Sequence, residues 1–141
     1  RGKVDTEWCV WGTRMTGAIR NGCRSFTGWN LALDENGKPN IGPFNCRGLV
    51  TIDSTTHAIT RSGQYYAFAH LSPFVHREAV CIGSQGEGDV LHLAFRNPDG
   101  QFVLLLTNPG RAHVVQVNCD QGQLKVHLPA DSLTTLRWYE D

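Results

Sequence analysis

The sequence predicts an α+β chain: the last strand and helix of a larger α/β barrel, followed by an antiparallel β-sandwich. Three observations carry this. From residue 80 onward, six short apolar runs alternate with turn-forming clusters, the pattern of a sandwich. The residues before 78 mix helix and strand signals instead. Those signals amount to a helix, a strand, a loop and a helix, which cannot close a parallel sheet by themselves. The expected division is therefore 1–78 for the barrel end and 79–141 for the sandwich.

Each element has its own signal. Met15 to Asn21 reads as the end of a helix, with Gly22 as its C-cap. Ser25 to Leu31 is an apolar run of strand length. Asp34-Glu35-Asn36-Gly37-Lys38-Pro39-Asn40 is a turn by composition, with Asp34 and Glu35 as its caps and Asn40 bracing the loop. Leu49-Val50-Thr51-Ile52-Asp53 is a short extended piece. Tyr65, Phe68 and Leu71 fall at helical spacing, with Pro73 just beyond. In the second half the expected strands are Val80 to Ile82, Val90 to Phe95, Phe102 to Thr107, His113 to Asn118, Leu124 to Leu128 and Leu133 to Trp138. Asn97-Pro98-Asp99-Gly100 is the hairpin turn between the second and third of these. Val114, Val117, Leu124, Val126 and Leu128 are expected on the inner faces.

Composition narrows the function. The chain has 141 residues, 40% hydrophobic and 18% charged, with a formal net charge of zero. That is a globular composition with room for a real core. Nothing in the charge argues for nucleic acid or an acidic membrane as partner. No apolar run reaches membrane-span length, and the residues after Arg1 form no leader. Either the protein is intracellular or its start has been removed. The five cysteines and six histidines are dispersed, without the short spacing of a zinc or redox site. No metal and no cofactor is expected.

The chemistry-bearing stretch is Gly28-Trp29-Asn30-Leu31-Ala32-Leu33-Asp34. Trp29 offers a flat apolar face for a sugar ring, and Asn30 beside it offers a donor and an acceptor for hydroxyls. At the C-terminal end of a barrel strand, such a pair sits where barrels hold their active sites. The competing reading is a core tryptophan next to a turn asparagine.

This stretch, with Gly37-Lys38-Pro39-Asn40 downstream, resembles the last barrel strand and loop of glycoside hydrolase family 30, which includes the glucosylceramidases. Gln64-Tyr65-Tyr66-Ala67-Phe68-Ala69-His70-Leu71-Ser72-Pro73-Phe74 is similar to the family's last barrel helix. Ala94 to Gly100 and Val103 to Asn108 resemble its sandwich hairpin. The resemblance covers roughly residues 16 to 138 and implies a (β/α)8 barrel with a side β-sandwich.

It also implies a retaining β-glycosidase acting on β-glucosides, a glucosylceramide-like lipid among them. Two carboxyl groups then flank the bond at about 5–5.5 Å, one as acid/base and one as nucleophile. The family's acid/base glutamate lies on an earlier strand, so the missing N-terminal barrel is an expected partner and the chain alone is expected to be inactive. Its nucleophile lies in a Thr-Glu pair, and Thr6-Glu7 stands in about that order, which makes Glu7 the candidate nucleophile. The alternative is that Trp8 and Trp11 belong to the barrel helix and the nucleophile lies upstream. The matching tryptophan lines the sugar subsite, so Trp29 and Asn30 are the expected substrate-binding residues. An extracellular or secreted location goes with the family. The competing function is a non-catalytic carbohydrate-binding or structural sandwich module.

Overall fold

The computed structural model describes residues 7–43, 46–120 and 122–140. Its elements run α1 (Trp8–Arg20), β1 (Ala32–Leu33), β2 (Val50–Ile52), β3 (Ile59–Arg61), α2 (Gly63–Ala69), β4 (Val80–Ile82), β5 (Leu91–Arg96), β6 (Phe102–Asn108), β7 (His113–Cys119), β8 (Gly122–Leu128) and β9 (Ser132–Trp138). They form three sheets: β1-β2-β3, β4-β5-β6-β9 and β7-β8.

The four-stranded sheet organises the molecule. All its neighbours are antiparallel, and Leu105 of β6 stands opposite Leu93 of β5 and Thr135 of β9. Successive side chains of a strand point to opposite faces. Leu93, Phe95, Val103 and Leu105 therefore face one way, and they pack with Met15 of α1 and with Ala67 and Leu71 at α2. Ala94, Leu104 and Leu106 face the other way and pack on Val126 and Leu128 of β8. Both faces of the sheet are covered, so β6 is a nearly continuous apolar run rather than an alternating one. The result is three layers: helices, sheet, and a two-stranded ribbon.

The helices lie directly on the sandwich. Gly12 brings α1 against β6 and β9; a Cβ there would meet Leu133 Cδ2 at 2.5 Å and Thr107 Oγ1 at 2.8 Å. Trp8 Nε1 donates to Asp131 O at 2.8 Å, which pins the start of α1 to the turn before β9. At its other end Arg20 Nη2 lies 3.0 Å from His92 Nδ1 on β5. α2 begins where Ser62 Oγ accepts from Tyr65 N at 3.2 Å, a capping bond that starts the helix two residues earlier than the aromatic spacing suggests. The chain leaving α2 is tied to the β5–β6 hairpin through buried Asn97, which donates to Phe74 O at 2.7 Å and accepts from His76 N at 3.0 Å.

The sandwich strands fall where the sequence places them, each within two residues at either end. Three expectations need correction. Ser25 to Leu31 is not a strand; β1 is only Ala32–Leu33, because Phe26 turns into a ring cluster with Trp11 and Phe68 instead of alternating on a sheet. Val114 is 56% exposed, since it shares the outer face of the ribbon with His127 opposite it. Leu124 faces the core side but lies towards the far end of the ribbon, opposite Val117, and stays 52% exposed. The strand β3, antiparallel to β2, has no expected counterpart.

Candidate functional site

The site is built around the segment that leads into β1. Phe26 anchors it: its ring lies 6.2 Å from Trp11 and 5.7 Å from Phe68, centroid to centroid. Gly28 comes next and sits on α2. A Cβ on Gly28 would lie 2.5 Å from Gln64 Nε2 and 3.1 Å from Phe68 Cζ, so a side chain there would push the Gln64 amide out of its place. Asn30 then joins the sheet. Its amide donates to Arg47 O at 3.5 Å and its carbonyl accepts from Leu49 N at 2.8 Å. The Trp29–Asn30 peptide is cis.

Between these anchors Trp29 is 77% exposed, and Leu31 beyond it 76%. The tryptophan is thus not buried by the described residues. Asn30 is half-buried next to it. The parallel pairing of Ala32 with Val50 and Leu33 with Thr51 places both at the entrance of the short strand.

The acids around the segment serve the turns. Asp34 Oδ1 accepts from Asn36 N at 2.8 Å and Lys38 N at 2.7 Å. Glu35 accepts from the hydroxyl and the backbone amide of Ser54, and these bonds, the hydroxyl first, hold its carboxyl below the usual range. Asp53 is lowered by the backbone amide of Thr56, then by its hydroxyl and the amide of Thr55. A carboxylate that is ionised and committed to backbone donors is a brace, not a proton carrier. Asn40 Oδ1 accepts from Gly42 N at 3.1 Å, a bond internal to the loop.

Glu7 stands at the N-cap of α1, half-buried, and its side chain does not cap the helix. Trp8 and Trp11 both belong to α1, which is the arrangement expected if the nucleophile lies upstream of Glu7. One turn along from Glu7, Trp11 packs on Phe26 and Phe68, so the helix that carries Glu7 and the segment that carries Trp29 share one aromatic cluster. Cys9 is no rival nucleophile. Burial first, then Asp131, pushes its thiol up to about 12, and it donates to Asn108 O at 3.3 Å.

A second feature lies across the molecule. Between the four-stranded sheet and the ribbon is a cavity of about 1010 Å³. Trp138, Phe102, Ala94 and Leu104 line it on the sheet side, and Gln85, Glu87, Asp89 and Asn118 supply polar groups.

Comparison with known proteins decides the family. Residues 78–136 match the glycosyl hydrolase family 30 beta sandwich domain. The chain is 30% identical over 135 residues to an endo-1,6-beta-D-glucanase of Neurospora crassa, covering 86% of this chain and 28% of that protein. The chain belongs to glycosyl hydrolase family 30. It is also 26% identical over 117 residues to the mouse lysosomal acid glucosylceramidase, covering 80% of this chain and 23% of that one. A solved endo-beta1,6-glucanase superposes with a TM-score of 0.82 at 34% identity, over 89% of this chain and 29% of its own length. The family 30 chain thus spans about a quarter of the length of the curated relatives it matches.

Family 30 is a family of glycoside hydrolases, and residues 78–136 are its β-sandwich domain. Within that frame the structure brings Trp29 and Asn30 together at the head of β1 and sets Glu7 on a different element. Gln64 and Phe68, which carry Gly28, escape sequence reading. Their helical spacing marks a packed face but not what it packs against.

Proposed function

We propose that this chain supplies the sugar-facing edge and the side sandwich of a retaining β-glycosidase of the β-glucosidase or glucosylceramidase type. In this reading residues 1–78 are the end of the catalytic barrel and residues 79–141 its side domain. Trp29 is the platform under the sugar ring, and Asn30 hydrogen-bonds the sugar or holds the platform. Glu7 is the candidate nucleophile; with Trp8 and Trp11 in α1, the alternative is a carboxylate upstream of it. The acid/base carboxyl comes from barrel strands that precede this chain, and the substrate is a β-linked glycoside. One carboxyl protonates the leaving oxygen, the other attacks the anomeric carbon, and water releases the sugar from the covalent intermediate.

The observation that carries the reading is Trp29. It is held by neighbours on both sides and yet is 77% exposed. A large aromatic face left open at the mouth of a strand, in a chain related to β-glucanases, fits a sugar platform. Trp29→Ala in the full-length protein should raise KM for a β-glucoside about tenfold, the scale of one lost ring contact. An unchanged KM rejects Trp29 as the platform.

The second reading is a non-catalytic carbohydrate-binding sandwich, which the cavity beside Trp138 favours. It predicts the opposite outcome: binding of a β-glucan oligosaccharide lost in Trp138→Ala and kept in Trp29→Ala.

A further inference from the structure

We infer that Gln64 is the positioning residue that sets the height and tilt of the Trp29 ring, acting through the backbone of Gly28. The inference rests on the reading of Trp29 as a sugar platform.

Gln64 is 8% exposed, in the first turn of α2. Its Nε2 is buried and has no hydrogen-bond partner among the described residues. Buried amide groups are almost always paired, and an apolar side chain at this place would be better for folding alone. The amide is kept where it meets the segment that ends in Trp29. Its Nε2 edge lies directly under Gly28, close enough that a Cβ there would stand 2.5 Å away. Phe68, one turn further along α2, closes the other side of the same seat at 3.1 Å. A flat amide edge and a ring edge thus form the surface on which the Gly28 backbone rests.

The rest of the segment leaves little other freedom. Phe26 is locked in its ring cluster two residues before Gly28, and Asn30 is bonded to Arg47 and Leu49 two residues after it. The ring of Trp29 itself projects into solvent. The Gly28 backbone is therefore the pivot of that ring, and Gln64 is what the pivot sits on.

The test uses the full-length protein carrying 5-fluorotryptophan, with the Trp29 ¹⁹F resonance assigned by Trp29→Phe. Gln64→Met keeps the length of the side chain and removes the donor and the flat edge. The expected result is a KM raised about tenfold with kcat nearly unchanged, because a misplaced platform weakens ground-state and transition-state binding alike. The Trp29 resonance shifts or broadens, the Trp138 resonance stays, and Tm holds or rises. Gly28→Ala, which pushes on the same seat, gives the same KM change, and the double variant adds little more.

A lowered Tm with KM and the Trp29 resonance unmoved would make Gln64 a packing residue and overturn the inference. So would a raised KM in Trp29→Ala with wild-type KM in Gln64→Met. If Trp29→Ala leaves KM unchanged, the platform reading falls, and the resonance alone decides whether Gln64 sets the ring.

Discussion

His70 shows how one residue joins the two parts of the chain. It closes α2, and its Nδ1 lies 2.9 Å from Thr135 Oγ1 on β9, while that hydroxyl donates to His70 O at 2.8 Å. The hydroxyl has a single hydrogen and gives it to the carbonyl, so Nδ1 carries the proton and donates in return. Burial holds the imidazole below its ordinary 6.5 and favours the neutral ring. The unfolded chain, titrating near 6.5, therefore binds a proton that the folded one resists. The stabilisation is full above about pH 6.5 and shrinks as the pH falls toward the lower folded-state pKa. The urea midpoint should drop between about pH 7.5 and about pH 5.5. His70→Gln should reduce that drop, leaving the contribution of His92, which burial and then Arg20 also hold low. An equally steep profile in His70→Gln would place the titration elsewhere.

At the scale of elements, α1 is fitted to the sheet at one glycine. Gly12 faces Leu133 and Thr107 with no space for a Cβ, whereas Gly17, on the outer side of the same helix, has nothing within 4 Å of its Cβ position. Gly12→Val should cost about 1–3 kcal/mol through overpacking, and Gly17→Ala should gain about 0.5–1 kcal/mol through helix propensity. Denaturant midpoints of the two variants check the contrast; equal effects would mean that α1 does not rest on β6 and β9 as described. The same elements show what the sequence makes legible. The strands β4 to β9 can be read because turn residues bracket apolar runs and every run ends up on a buried sheet or its ribbon. The parity of Val114 and Val115 cannot be read, since either valine of the pair fits the inner face. β3 is hidden because Ile59, Thr60 and Arg61 are all exposed and show no core-facing pattern. The run from Phe26 to Leu31 misleads because its apolar residues do not alternate on one sheet: Phe26 enters a ring cluster, while Trp29 and Leu31 are exposed. Trp29 and Asn30 stand out by residue type, but the seat beneath them does not, because a buried glutamine looks like a surface one in sequence.

For the whole molecule, the helices and the sandwich form one body. Met15, Ala67 and Leu71 share a core with Leu93, Phe95, Val103 and Leu105, so the helices and the sandwich strands are packed together rather than strung on a linker. Such a core transmits position: the sandwich holds α1 and α2, these hold Phe26 and Gly28, and these hold Trp29. In the proposed enzyme the side domain is thus a brace for the sugar platform. Beyond Trp29, the exposed side chains Leu31 and Ile59 lie beside and in the small β1-β2-β3 sheet, where the preceding barrel strands would pack in the proposed enzyme. The central claim is that this surface belongs to a retaining β-glycosidase, with Glu7 or a carboxylate upstream of it as nucleophile. Its most direct test is the intact mass of the full-length protein after reaction with a mechanism-based β-glucosidase label, followed by peptide mapping. The account predicts one covalent sugar adduct per chain, on Glu7 or on a carboxylate upstream of it. An adduct on a different carboxylate would remove Glu7 from the mechanism, and the absence of any adduct from an active protein would contradict the retaining reaction itself.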